Sequence, residues 1–310
     1  MEYTNRIQVV GESGSGGENA QNARREVARL RCIICDCMRN QPIFNEDGID
    51  ILRCVNCDHV YSSFEADPHY DGFWGDEVAE GDHSYWNKAR ARMHQDFIRR
   101  FLVGHSGRLL DMGCGLGFFL KAIAPYPNWE TYGCEISPAA VRYARESLGL
   151  QNVICGRLED TDLPQRSFDL ITMWDVIDHI PRPDPLLRCC HSLLKESGIC
   201  FMRTPNVYIQ LLRARLAKLL RGTQPTVAYM QARHHAHHYS RSSIRRILER
   251  NGFSRIRFVH LHPIQSEVGG KNGFVQGVKN ACFEVVRALS IVSRGHLNLD
   301  NLFVIAHKES

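Results

Sequence analysis

From Arg108 onward the chain repeats one pattern, a short apolar run followed by an amphipathic segment of helical period. RLLDM, TYGCE, NVICG, FDLITMW and GICFMRT read as strands, with PAAVRYARESLG and DPLLRCCHSLLKES as helices between them. Strands that alternate with helices are joined by crossovers, and crossovers place a parallel sheet between two helical layers. Near the C-terminus the pattern changes: SRIRFVHLH and LNLDNLFVIAHK add two strands with one helical stretch, roughly Phe274 to Val292, between them. The expectation is an α/β fold with a seven-stranded, mostly parallel sheet and helices on both faces.

The first strand of that sheet ends in Asp111, Gly113, Gly115 and Gly117, spelling D-x-G-x-G-x-G where a helix begins. Glycine lets the backbone approach a ligand and adopt positive φ, and the first turn of the helix offers free N–H groups. A dinucleotide fold would want a third glycine at position 118, where this chain has Phe118, so the pyrophosphate fingerprint is poor. Glu135 closes the second strand, 24 positions past Asp111. A carboxylate there can accept both hydroxyls of a ribose.

With these motifs in place the sequence resembles the Rossmann-like (class I) methyltransferases that use S-adenosylmethionine (SAM). The likeness covers Arg108 to about Met202 and resumes at Tyr239 to Phe253 and Leu297 to Lys308. DMGCGLG is similar to the SAM loop, CEISPAAVRYAR to the ribose-acid segment, and GRLEDTDLPQRSFDLITMWDVIDHIPRP to the adenine segment and the loop after the fourth strand. The resemblance implies that Asp111, Gly113 and Cys114 lie beside the methionine end of SAM and that Gly115 and Gly117 give backbone clearance. It implies Glu135 on the ribose, Ile136 flanking the adenine, Leu158 and Glu159 at the adenine edge, and Trp174 beside the pocket. Arg157 stands where many relatives have Asp, so a main-chain N–H near Leu158 is expected to replace the usual contact.

Ahead of this region, Cys32-Ile-Ile-Cys35 and Cys54-Val-Asn-Cys57 are two C-x-x-C pairs with 18 residues between them. Four thiolates at that spacing can close a tetrahedral, structural zinc site of zinc-ribbon type, which folds a segment too small to build its own core. Cys37 and His59 lie close by as substitute ligands. A zinc knuckle before this core resembles the zinc-binding sugar methyltransferases and relatives of the ubiquinone-type O-methyltransferases. It resembles, less closely, a zinc-bearing ribosomal RNA guanine methyltransferase.

Methyl transfer from a sulfonium is an in-line displacement, so binding and aim matter more than acid–base chemistry. A hydroxyl nucleophile still gains from a base near neutrality. His179, in WDVIDHIP after the fourth strand, is the first catalytic candidate, and a hydrogen-bonded structural pair of Asp178 and His179 is the alternative. In HHAHHYS, His234, His237 and His238 would share one face of a helix and invite a second metal. Ser240 and Gly252 instead cap and stop the helix RSSIRRILERNGF, which leaves the histidines on the preceding loop. His235 or His238 then has a basic or substrate-contacting role.

Domain boundaries are expected at 1–25 (flexible tail), 26–65 (zinc unit), 66–103 (helical aromatic-rich cap) and 104–310 (SAM-dependent domain). Within the last, 206–236 reads as a lid or substrate insertion and 263–296 as a helical insertion. NVYIQLLRARLAKLLRG is a basic amphipathic helix with Ile209, Leu212, Leu216, Leu219 and Leu220 near one face, for docking on the core or for peripheral contact with anionic lipid. A net charge of +4 over 310 residues is too small to declare a nucleic-acid partner, and no base-amine motif follows the fourth strand. The expected acceptor is a small molecule such as a sugar, a phenol or quinone precursor, or another natural-product intermediate. RNA methylation and a non-catalytic SAM-binding scaffold are the competing readings. Neither a secretory signal nor a transmembrane run is legible, so the expected location is cytoplasmic, where 12 cysteines would stay reduced.

Overall fold

Between the two cysteine pairs the chain reverses at Asp47-Gly48, where φ values of 50° and 82° suit an Asp-Gly hairpin turn. The computed structural model describes residues 30–64, 87–221, 230–262 and 301–309, with a few helical positions between 284 and 292. The glycine-serine tail, Tyr70, Phe73, Trp74, Tyr85 and Trp86 of the cap, and most of the 263–296 insertion lie outside the described residues.

The hairpin pairs β1 (Asn40–Glu46) with β2 (Ile49–Cys54), and β3 (Val60–Ser62) adds to β2. α1 (Ala91–Phe101) leads to β4 (Gly107–Met112), α2 (Phe118–Ile123) and β5 (Trp129–Glu135). α3 (Pro138–Arg142) is capped by the Ser137 hydroxyl and runs into a π-helical turn at Tyr143–Ser147. β6 (Val153–Cys155), β7 (Phe168–Trp174), α4 (Pro183–Leu193), β8 (Leu194–Pro205) and α5 (Val207–Arg221) follow. The rest is β9 (His237–His238), α6 (Arg241–Arg250), β10 (Phe253–Val259) and β11 (Asn301–Lys308).

The large sheet has the order β10-β11-β8-β7-β4-β5-β6. The strands from β8 to β6 are parallel, and β11 enters antiparallel between β8 and β10. Order reverses at β4, so the carboxyl ends of β4, β5 and β7 open a crevice where ligands bind in such sheets. Buried on both faces, β4 and β7 read as unbroken apolar runs, with Leu109, Leu110, Ile171 and Met173 fully enclosed. An aromatic cluster seats α1 on one face: the Phe201 ring lies 4.5 Å from Phe97 and 4.8 Å from Trp174, centroid to centroid. On the other face Leu187, Cys190, Ile244 and Leu248 join the same core as Cys32, Cys54 and Tyr61 of the cysteine unit.

The histidine run departs from both sequence expectations. It is neither a helix face nor a plain loop, because His237 and His238 form β9 and complete a four-stranded sheet in the order β1-β2-β3-β9. The capping expectation for α6 is met: Ser240 accepts from the Ser243 N–H and Ser243 reciprocates in a capping box. α5 docks through a different face from the one expected. Val207, Leu211 and Ala214 pack on Ile51, Val60 and Met230, while Leu212, Leu216 and Leu219 are exposed among the described residues. No helix among the described residues is long and apolar enough to cross a membrane.

Candidate active site

The crevice widens into a cavity of about 1450 Å³ that runs from the glycine loop to the cysteine unit. At the glycine end the backbone comes first. Gly113 has φ 69°, and a Cβ there would meet Val176 Cγ2 at 2.5 Å. Gly117, with φ 82°, is the N-cap of α2, and a Cβ there would meet Leu150 Cδ1 at 2.5 Å. Both positions therefore need glycine for conformation, and Gly113 needs it for space as well, because the β-branched Val176 cannot swing clear as the Leu150 tip can.

Glu135 turns back onto this loop. Its Oε2 accepts from the Gly115 N–H at 2.8 Å and its Oε1 from the Ser137 N–H at 3.0 Å. An ionised carboxylate offers about four acceptor positions, and the Ile136 N–H acts on this one as well. Burial raises the Glu135 pKa, and the Ser137 and Gly115 N–H groups oppose that rise. Asp111, on the neighbouring strand, accepts from the Thr172 hydroxyl at 2.7 Å. Burial pushes its pKa up to about 8, the Thr172 hydrogen bond opposes this, and the charge of Glu135 adds to it.

Beside this end lies an ion network: Asp175 adjoins the pocket, as its place after the fourth strand implies, and its two arginines carry no mark in the sequence. Asp175, held at φ 56°, pairs with Arg90 at 2.8 Å and with Arg203, all three being buried or nearly so. Burial works to raise the Asp175 pKa, yet Arg203 and then Arg90 outweigh it and hold the carboxyl below its ordinary value. Both guanidinium groups thus meet Asp175 beside the cavity, which Arg90 and Asp175 line. Burial, reinforced by Arg90, drives His94 down to about 3, so its ring is neutral.

The loop after β7 carries the acid–base groups. The His179 Nδ1–H donates to the His234 carbonyl at 2.8 Å, which fixes the tautomer and leaves Nε2 as proton acceptor. That Nε2 lies 3.7 Å from Asp178 Oδ2, and His235 Nε2 lies 3.5 Å from the same oxygen. Asp178 is 1% exposed, and neither carboxylate oxygen has a hydrogen-bond partner among the described residues. Burial lowers His235 to about 4 despite Asp178 nearby, and burial also holds His238 well below its ordinary value. Asp178, His179 and His235 offer ligand atoms that all lie within 4.8 Å of one another, so this group could hold a cation.

Of the site residues expected from the sequence, Asp111, Gly113, Cys114, Gly115, Glu135, Ile136, Glu159, Trp174 and His179 line the cavity. Gly117 shapes the loop from behind. Leu158 does not line it: its side chain is fully buried, and the neighbouring Gly156 and Arg157 face the space instead. His235 stands behind the lining, and His238 turns toward Gln210, its Nδ1 3.1 Å from Oε1. The far wall is built by Leu30, Arg31, Ile33 and Tyr61, none of which the sequence marked as functional.

At the cysteine unit, Cys32, Cys35, Cys54 and Cys57 bring their sulfurs within 4.8 Å of one another, with Cys32 to Cys57 and Cys35 to Cys54 both at 3.5 Å. Thiolates around a zinc at about 2.3 Å would stand about 3.8 Å apart, so the donor set fits that ion in number, chemistry and spacing. Cys37 and His59 are outside the quartet; His59 instead packs against His237.

A Rossmann-like sheet with a glycine loop and an acid at the adjoining strand tip defines a class I SAM-dependent methyltransferase. The family described as a methyltransferase domain matches residues 85–257, more than half of the chain, and the chain belongs to that family. A ubiquinone biosynthesis O-methyltransferase of Neisseria meningitidis serogroup C is 30% identical over 128 residues, 37% of this chain and 54% of that protein. One from Xanthomonas campestris pv. campestris is 32% identical over 116 residues, 36% of this chain and 48% of the other. The chain spans about half the length of these curated relatives. Among solved structures, Haemonchus contortus phosphoethanolamine N-methyltransferase 2 in complex with SAM superposes with a TM-score of 0.51 at 14% identity, over 81% of this chain and 61% of that one. A chain of the complex between the Haloferax volcanii Trm112 methyltransferase activator and a putative methyltransferase also gives 0.51 at 14% identity, over 79% of this chain and 100% of the other. Both likenesses concern the fold.

Proposed function

We propose that the protein methylates a small-molecule acceptor, with an oxygen nucleophile favoured over nitrogen or carbon. The observation that carries this reading is the His179 tautomer. With Nδ1–H held by the His234 carbonyl, Nε2 carries the ring's lone pair at the cavity lining, 3.7 Å from the buried Asp178 carboxylate, and the ring is arranged to take a hydroxyl proton. Asp178 would stabilise the imidazolium that results. His235, kept neutral by burial, positions Asp178 rather than accepting the proton itself.

On this reading Glu135 takes the two ribose hydroxyls, Ile136 flanks the adenine, and Gly156, Arg157 and Glu159 meet its edge. Asp111 lies beside the ammonium and sulfonium of the methionine end, and the Arg90–Asp175–Arg203 network faces the carboxylate. Bound SAM supplies an electrophilic methyl: the acceptor oxygen forms the new bond as the S–C bond breaks, and its electron pair stays on sulfur. Trp174 and the Phe119 wall keep water from that line.

The test is incubation of the protein with methyl-tritiated SAM and fractionated cell extract. Label is expected in a nuclease-resistant, low-mass fraction; label only in a nuclease-sensitive fraction would replace this reading with nucleic-acid methylation.

Proton linkage gives a second check. The native protein holds a proton on Asp111 up to about pH 8. That contribution to stability is fully present below the ordinary Asp pKa of about 3.9 and is lost as pH rises through about 8. A cation placed beside Asp111 expels the proton, so SAM affinity should rise with pH toward about 8 and level off above it. Calorimetry at pH 7 in two buffers of different ionisation enthalpy should show proton release; no release, or uptake, would remove SAM from this position.

The unpaired oxygens of Asp178 favour one further reading, in which Asp178, His179 and His235 hold a divalent cation that binds the acceptor oxygen. Elemental analysis decides between them. One equivalent of zinc, retained in His235→Ala, is expected if zinc sits only at the four cysteines and His179 is the base. A second metal equivalent, lost in His235→Ala, supports the cation.

A further inference from the structure

The four-stranded sheet is assembled from segments 178 positions apart in the chain. β3 gives its edge to β9, with Val60 opposite His238 and Tyr61 opposite His237. Around that pairing, Ser62 donates its N–H to the Ala236 carbonyl at 3.0 Å and its hydroxyl to the Ala232 carbonyl at 2.6 Å. The buried Glu46 carboxylate accepts the Ala232 N–H at 3.0 Å and the Met230 N–H as well. Segment 230–238 is thus joined to the cysteine unit by the β3–β9 pairing and by these four hydrogen bonds, and beyond β9 its own structure is a turn at 231–235.

A pair of imidazoles continues the connection toward the reactive loop. The Nε2–H of His237 donates to the Pro181 carbonyl at 3.0 Å, which leaves its Nδ1 to accept from His59 Nε2–H at 3.3 Å. The His237 backbone N–H donates to the Asp178 carbonyl at 3.0 Å. His234 and His235, in the same segment, are the residues that hold the His179 tautomer and flank Asp178. Among the described residues the glycine loop bonds elsewhere: the N–H groups of Gly113 and Cys114 donate to the Cys134 carbonyl and that of Gly115 to the Glu135 carboxylate, both at the end of β5.

We propose that the cysteine unit is the mount of the proton-accepting loop: metal at Cys32, Cys35, Cys54 and Cys57 orders segment 230–238 and loop 176–182, with Glu46 and His59 as positioning residues, while the SAM crevice stands without it. The inference rests on the proposed assignment of SAM and of a structural zinc. Metal adds order to such a unit because its own core is small and its apolar residues pack mainly on the rest of the chain. Its far wall, Leu30, Ile33 and Tyr61, faces the acceptor half of the cavity, so loss of metal removes acceptor binding and proton acceptance together.

Hydrogen–deuterium exchange of the full, reduced chain, with and without a zinc chelator, reads this directly. Chelation is expected to speed exchange in 176–182 and 230–240 by about ten-fold or more, with 107–135 unchanged, SAM affinity within about three-fold, and full reversal on adding zinc. Unchanged exchange in the two segments, or equal acceleration in 107–135, overturns the proposal. Should the metal-free chain aggregate, His59→Leu replaces it: with zinc retained at one equivalent, exchange in 230–240 should rise several-fold, and His59→Gln, which still donates to His237, should restore it. Protection in His59→Leu equal to that of the unaltered chain would overturn it too. Failure of the metal-loaded protein to bind SAM would instead sink the functional reading on which this one stands.

Discussion

Replacing Glu135 with Ala is expected to weaken SAM binding about 100-fold or more, since two hydrogen bonds to a charged acceptor at about 1.5–3 kcal/mol each disappear. The geometry behind this is a carboxylate that lines the cavity and accepts from the Gly115 and Ser137 N–H groups, one on each oxygen. Glu135→Gln keeps one acceptor oxygen and should lose about ten-fold. Both variants also disturb the loop's own N–H groups, so denaturant unfolding must accompany calorimetry. A stability loss of about 1–3 kcal/mol with the affinity loss is consistent; unchanged affinity in a folded Ala variant would remove Glu135 from the ribose.

Gly113→Ala carries the second large effect. The left-handed conformation costs a non-glycine residue about 1–2 kcal/mol, and the overlap of the new methyl with Val176 Cγ2 at 2.5 Å adds about 1–3 kcal/mol. Because the loop is the proposed cofactor end of the cavity, SAM binding should fall in step. Shortening Val176 separates the two contributions. In Gly113→Ala with Val176→Ala the packing part should be recovered and the conformational part should remain, a coupling of about 1 kcal/mol or more. Strict additivity in denaturant unfolding would show that Val176 is not the obstacle.

How much of this was legible in the sequence depends on how local each feature is. FDLITMW coincides with β7 because a parallel strand covered on both faces is apolar throughout. Ser240 and Gly252 bounded α6 because caps act within one turn. β8 starts at Leu194, ahead of the expected GICFMRT, since LKES carries no strand pattern of its own and is drawn in beside Phe168. β9 was illegible for a stronger reason: two histidines form a strand only because β3, far away in sequence, offers an unpaired edge.

The site divides along the same line. The glycines and Glu135 act through backbone spacing at strand tips, which a short motif records. Arg90 and Glu46 are buried charges whose partners come from distant segments, and nothing in ARARMHQDF or FNEDG distinguishes them from solvated surface. α5 shows the opposite error, a clear apolar stripe in sequence that faces outward among the described residues, while the narrower face of Val207, Leu211 and Ala214 makes the contact.

The most direct test of the account is a crystal structure of the protein grown with S-adenosylhomocysteine, the demethylated product. The account predicts the adenosine between Glu135 and Ile136, both ribose hydroxyls within hydrogen-bond distance of the Glu135 carboxylate, and the sulfur directed toward the His179 side of the cavity. A ligand bound elsewhere, or one in this cavity with its ribose away from Glu135, would contradict it.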